Sequence, residues 1–160
     1  MNDMLVRLVS LPDITNTEKV LKEKEQVIFR RPIAPEKSIV TQWVCKYFSS
    51  NWADEVDVAF SRIPISCFIA QRGQEIIGFS CYECTAKNFF GPTGIIEKER
   101  GKSIGKVLLI KALLALKELG YGYAIIGGVG PVEYYQKTVN AIVIDGSQVS
   151  VYQHMLKNNS

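Results

Sequence analysis

Seven consecutive residues, Arg100-Gly101-Lys102-Ser103-Ile104-Gly105-Lys106, bring two glycines and three cations to the start of an apolar-periodic stretch. The first turn of a helix leaves backbone N–H groups unpaired and carries roughly half a positive charge from the macrodipole. Small residues let an anion approach the main chain, and Arg100, Lys102 and Lys106 add charge around it. These residue types at this spacing suit a phosphate or pyrophosphate. Gly101-Lys102-Ser103 resembles the end of a Walker A loop, but Ile96 stands where that motif requires its first glycine. No G-x-G-x-x-G occurs, so a dinucleotide fingerprint is absent as well. The glycines also suit a plain strand-to-helix turn that binds nothing.

A second constellation lies downstream at Gly130-Pro131-Val132-Glu133-Tyr134-Tyr135-Gln136-Lys137. Adjacent helical residues point about 100° apart, so one of the two tyrosines can pack inward while the other faces a cleft. Both segments match the R/Q-x-x-G-x-G/A and G-x-x-x-F-Y-x-K signatures of the GNAT superfamily, the acyl-CoA-dependent N-acyltransferases, which this sequence resembles from about Ile65 to Ile144. Arg100 and Gly105 match directly. Ser103 replaces the middle glycine and Tyr134 replaces phenylalanine.

The resemblance implies a single α/β domain of α+β type over residues 1–160, with a central mixed twisted sheet and helices on both faces. It implies acetyl-CoA as co-substrate, no metal, and transfer of acetyl to a primary amine of a small molecule or peptide by direct attack on the thioester. Pantetheine would run along the backbone of Ile95 and Ile96, and the pyrophosphate would sit on Arg100, Gly101, Lys102, Ser103, Ile104, Gly105 and Lys106. Tyr135 matches the family tyrosine that protonates the thiolate. A non-catalytic acyl-CoA-binding domain of the same fold is the alternative, and a plain interaction domain is a third reading.

The residues place the base less sharply. Glu83, at the end of a central strand, is the first candidate, followed by Asp57 and Glu55; deprotonation relayed by water is equally open. The resemblance implies an acceptor side formed by the helices between the first two strands, hence among the aromatic and acidic residues of 47–57, where carboxylates attract a protonated amine and aromatic faces hold a cation.

With 160 residues, 47% hydrophobic and 22% charged, the chain reads as one globular domain. A net charge of +3 is too weak to argue for nucleic acid, and the cations cluster locally around positions 98–106 instead. No secretory leader or membrane-spanning apolar run is apparent, so a cytoplasmic location and no membrane partner are expected. Cys81-x-x-Cys84 lacks a second metal-binding pair, and Cys45 and Cys67 read as small core residues.

The elements that must position these groups follow from periodicity. Met4–Val9 reads as a strand. Val20, Leu21, Val27 and Ile28 recur at helical spacing up to Pro32, with Thr17 as a cap. Ile39, Val40, Trp43, Val44, Tyr47 and Phe48 form a helical stripe, and Asn51 caps another helix. Ile65–Ala70, Glu75–Tyr82 and Phe89–Ile96 follow as a meander, the last broken by Gly91-Pro92-Thr93-Gly94. A helix over Gly101–Leu119 ends at Gly120, Tyr123–Ile126 is a buried strand, and Pro131 opens a short helix through Thr138. Ala141–Ile144 is the last strand. The tail from Gln148 is open between an edge strand and packing on a partner, which leaves room for a homodimer.

Overall fold

A computed structural model describes residues 1–157. In chain order, strand β1 is Met4–Arg7, helix α1 Thr15–Glu25, β2 Val27–Arg30, α2 Lys37–Tyr47 and α3 Ser50–Ala59. Then come β3 Cys67–Arg72, β4 Glu75–Tyr82, β5 Phe89–Ile95, α4 Ile104–Glu118, β6 Tyr123–Ile126, α5 Val132–Val139 and β7 Ile142–Val143. The strands form one mixed sheet in the order β2-β3-β4-β5-β6-β1-β7. Only β5 and β6 run parallel; the other neighbours are antiparallel. The expected α/β domain, a mixed sheet with helices on both faces, is the one observed.

Helix α4 supplies one side of the core. Nine of its residues, including Ile104, Leu108, Leu109 and Leu113, are buried, because it lies across β3, β4 and β5 with α1 and α5 beside it. Helices α2 and α3 cover the opposite face through Val40, Val44, Val56 and Ala59 against Ile69, Phe79 and Cys81. At the centre of that face Phe48 lies against Gly94, where an added Cβ would come within 2.5 Å of its ring. Glycine in β5 is therefore a close-approach position as well as a strand breaker.

Several local expectations are corrected. The run from Thr17 to Pro32 is a helix followed by a strand: α1 ends at Gln26, whose φ of 55° is left-handed, and Val27–Arg30 pairs with β3. Val27 and Ile28 fit helical spacing by coincidence, since alternation buries Val27 and Phe29 instead. Asp13 Oδ1, which accepts from Thr15 N–H at 2.9 Å, anchors the start of α1, not Thr17. Ser49, not Asn51, caps α3 by accepting from Trp52 N–H at 3.1 Å. Cys45 is exposed on α2, so only Cys67 of that pair is a core thiol. Residues 148–157 form turns, with no strand among them.

Candidate functional site

The start of β5 touches only the end of β6, with Phe89 opposite Ile125 and Phe90 opposite Ile126. Gly91, at a φ of +118°, and Pro92, which has no N–H, then carry β5 away. It continues against β4 through Thr93, Gly94 and Ile95, while β6 stops at Ile126. A wedge-shaped gap opens in the sheet beyond Phe90.

The register decides which backbone groups face this gap. Ile96 N–H donates to Ile77 C=O at 3.1 Å, and Ile95 stands opposite Gly78. Hydrogen-bonded pairs alternate along an antiparallel ladder, so the N–H of Ile95 points away from β4, toward the gap. It has no partner among the described residues. Ile95 C=O faces the same way and accepts from Arg100 Nε at 3.1 Å.

The wide end of the gap meets the start of α4. The expected helix over Gly101–Leu119 begins three residues later, because Gly101 (φ +82°) and Ser103 (φ +70°) are both left-handed. Such alternation turns successive N–H groups into a concave nest. No side chain caps α4, so the N–H groups of Ile104, Gly105 and Lys106 are left free for an anion. Gly105 has room for a methyl group in ordinary contact: a Cβ there would sit 3.6 Å from Ile95 and 3.7 Å from the Tyr134 hydroxyl.

Around this nest the expected residues divide. Arg100, Gly101, Ser103, Gly105 and Lys106 surround it. Ile104 is a core residue, 1% exposed, that contributes only its main chain. Lys102 is held elsewhere: its Nζ lies 3.1 Å from Glu99 and 3.8 Å from Glu25. Glu99 is itself buried and bridged by Arg72 at 2.5 Å. Those cations hold its carboxyl below the usual range. Lys102 therefore braces the turn.

Tyr135 sits at the narrow end, its ring edge-on to Phe90 with centroids 6.4 Å apart. It is buried, and desolvation pushes its hydroxyl well above the ordinary value. Tyr134 is half-exposed and points its hydroxyl at the helix start. The two tyrosines thus face different parts of one gap. The sequence signal for Tyr134 was present in the Tyr-Tyr pair, but helical phase alone does not say which ring faces where.

Glu83 lies just past β4, buried, in a left-handed conformation (φ +56°). Its Oε2 accepts from Asn88 N–H and Tyr121 O–H, both at 2.9 Å, and Arg62 stands 3.8 Å from Oε1. The carboxylate clamps the turn between β4 and β5. Asp57 is paired with Lys37 at 2.9 Å. Glu55, which accepts a hydrogen bond from Thr85, has its proton affinity raised by burial.

A surface groove of about 730 Å³ opens beside the cradle end of β5, between Trp43 and Tyr47 of α2 and Ile96, Glu97 and Glu75. Tyr47 is the one residue of the expected acceptor stretch that lines it. Its acidic residues, Glu75 and Glu97, carry no signature in the sequence. Among the described residues, no group of three or more His, Cys, Asp or Glu is placed to hold a metal ion, and no helix is long and apolar enough to cross a membrane.

No family model matches this sequence. No curated protein matches it either. Solved structures do match its backbone. A GCN5-related glucosamine N-acetyltransferase region of a fungal multi-domain β-N-acetylglucosaminidase superposes with a TM-score of 0.71 at 14% identity, over 89% of this chain and 19% of that one. A GCN5-related N-acetyltransferase from Sphaerobacter thermophilus gives 0.64 at 16% identity, over 89% and 48%. A Drosophila protein gives 0.59 at 13%, over 89% and 47%. The chain spans about half the length of the latter two and about a fifth of the first. Identities this low speak to the backbone alone: the chain has the fold of these GCN5-related N-acetyltransferase structures.

Proposed function

We propose that the chain is an acetyl-CoA-dependent N-acetyltransferase that moves acetyl to a primary amine of a small molecule or peptide. The observation that carries this reading is the gap between β5 and β6, with the free N–H of Ile95 on one wall and the uncapped start of α4 at its mouth. A pyrophosphate fits the nest of N–H groups flanked by Arg100 and Lys106. A pantetheine arm fits the gap, where it completes the edge of β5 that β6 leaves open.

In this arrangement Ile95 N–H donates to the thioester carbonyl and stabilises the oxyanion that forms on attack. The amine attacks directly, so no covalent nucleophile is required. Tyr135 gives its proton to the departing thiolate. Burial raises that hydroxyl above its ordinary value and so widens its difference from a thiol of ordinary pKa, ~8.5. The same apolar surroundings desolvate the thiolate and raise its proton affinity too, which narrows that gap.

Glu83, the first candidate for the base, is already engaged. Its oxygens already accept from two donors, so we assign it to positioning the β4–β5 turn, and leave deprotonation to Glu55 or to water. This same observation favours the second reading, a non-catalytic acyl-CoA-binding domain.

One assay separates the two. Acetyl-CoA is incubated with polyamines, amino acids, aminoglycosides and peptide N-termini, and free thiol is followed. Thiol release accelerated by one of these amines supports the transferase. Thermal stabilisation by acetyl-CoA without release under any amine supports the binding domain. No stabilisation by either acetyl-CoA or CoA refutes both.

A further inference from the structure

On the sheet face covered by α2 and α3, three thiols gather away from the gap. Cys67 and Cys81 stand directly opposite each other on β3 and β4, both fully buried. Tyr82 N–H donates to Ser66 C=O at 3.0 Å, which makes 66–82 a hydrogen-bonded pair and 67–81 the closer, non-hydrogen-bonded one. Beyond Tyr82 the left-handed turn at Glu83, clamped by Asn88 and Tyr121, folds the chain back. That reversal sets Cys84 against the cluster that holds Cys67 and Cys81, with its thiol donating to Tyr82 C=O at 3.5 Å. Cys84 Sγ is also 3.9 Å from Ser66 Oγ, and unlike Cys81 it is partly exposed.

The pair is chemically unequal. The neighbouring Cys81 thiol draws the Cys84 thiol below its ordinary pKa; Ser66 and Arg62 act in the same sense, against burial and Glu55. Burial, with the neighbouring thiols, holds Cys81 well above. An accessible thiol that ionises readily beside a buried one that keeps its proton is the arrangement in which the first reacts and the second resolves. Exposed Cys45 has no thiol neighbour.

We propose that Cys84 is an oxidant-sensitive modification site that closes a reversible disulfide with Cys81. The Cys84 thiolate attacks one oxygen of hydrogen peroxide, the O–O bond breaks, and the leaving hydroxide is protonated to water. The sulfur is left as a sulfenic acid. Cys81 then gives up its proton and attacks that sulfur; the S–O bond breaks and a second water leaves. Two thiols lose two electrons and peroxide is reduced to two waters. The crosslink forms next to Thr85, whose hydroxyl donates to Glu55, so it sits at the contact between the sheet and α3. None of this depends on acyl transfer.

The test uses the reduced full chain carrying Cys45→Ser, treated with excess hydrogen peroxide, alkylated and digested without reduction. The expected result is that the peptide holding Cys81 and Cys84 resists alkylation and is lighter by two hydrogens, and that dithiothreitol restores both alkylation sites. Cys84→Ser should leave Cys81 fully alkylatable, and Cys81→Ala should leave a dimedone-reactive sulfenate on Cys84. If Cys81→Ala does not fold by circular dichroism, the mass shift in the Cys45→Ser chain decides alone. Cys84 still alkylatable at a peroxide dose that oxidises Cys45 in the parent would overturn the proposal. So would a sulfinate on Cys84 with Cys81 reduced.

Discussion

The hydroxyl of Tyr134 lies 3.7 Å from the place where a Cβ on Gly105 would sit, so α5 and the first turn of α4 face each other across the mouth of the gap. The side-chain space at Gly105 admits a methyl group without a clash. Alanine at this helical position keeps ordinary contacts, and its propensity exceeds that of glycine by about 1 kcal/mol.

Gly105→Ala is therefore expected to unfold at the parent temperature or slightly above, while its affinity for CoA falls. Gly105→Asp should abolish CoA binding, because a carboxylate then occupies the nest, yet leave binding of a phosphate-free pantetheine fragment close to that of the parent. Calorimetric titration with CoA and with the fragment, alongside thermal unfolding, reads both effects. Undiminished CoA affinity in Gly105→Asp would remove the phosphate cradle.

Tyr135→Phe keeps the ring against Phe90 and deletes one hydroxyl. The expected result is a loss of kcat of up to ~10²–10⁴-fold with acetyl-CoA affinity unchanged. The sign of the pH dependence follows from the same burial. A hydroxyl whose pKa burial raises above its ordinary value stays protonated through the range in which the amine titrates. Turnover should rise with pH as the amine loses its proton, then reach a plateau with no descending limb from Tyr135. A fall in rate centred near pH 10 that disappears in Tyr135→Phe would contradict the assignment, and Tyr134→Phe serves as the comparison.

Ser103 holds a φ of +70° with no side-chain cap, a conformation that costs a non-glycine residue roughly 1 kcal/mol. Ser103→Gly should be neutral to slightly stabilising, because lost strain offsets the greater freedom of the unfolded chain. Ser103→Val should lower the melting temperature by several degrees. Thermal denaturation of the three proteins orders them, and a Val variant as stable as the Gly variant would show that the turn can relax.

Glu36 accepts from Arg30 at 2.6 Å and from Ile33 N–H at 2.8 Å, and chiefly the Arg30 bond holds its carboxyl down at about 2 from an ordinary 4.5. A depressed folded pKa stabilises above the unfolded value, and that contribution is lost as pH falls from 4.5 toward 2. Solvent reaches both partners, so about 1 kcal/mol is expected rather than the full shift. Glu36→Gln should lower stability at pH 7 by that amount, with a difference from the parent that shrinks to nothing near pH 2. Urea midpoints at pH 7, 4 and 2 measure it.

Much of the architecture was readable along the chain because it rests on local periodicity. The bounds of β4 and β6 follow from apolar runs between turn residues, and α4 follows from its broad apolar face. Gly91-Pro92 marked the place where β5 leaves its neighbour, since one residue there is left-handed and the next has no donor. The Arg100–Lys106 turn was legible as the approach to a helix start, because its glycines and the apolar period that follows are local signals, and a helix start is a place where main-chain N–H groups can meet an anion whatever the fold around them.

The rest depends on what distant segments bring together. Val27–Arg30 became a strand because β3 offered it a partner, which overrides a local pattern compatible with helix. Lys102 left the cradle for Glu99 and Glu25, 77 residues back along the chain in the latter case, so its charge was visible but not its allegiance. Glu83 became a clamp because Tyr121 and Asn88 converge on it, and the turn it holds carries Cys84 back onto the cluster that contains Cys81. Residue types and short spacings act through the backbone next to them and could be read directly. Which N–H faces the gap, which tyrosine is buried and which carboxylate is already satisfied were decided only by sheet register and packing, where each group's partner comes from another part of the chain.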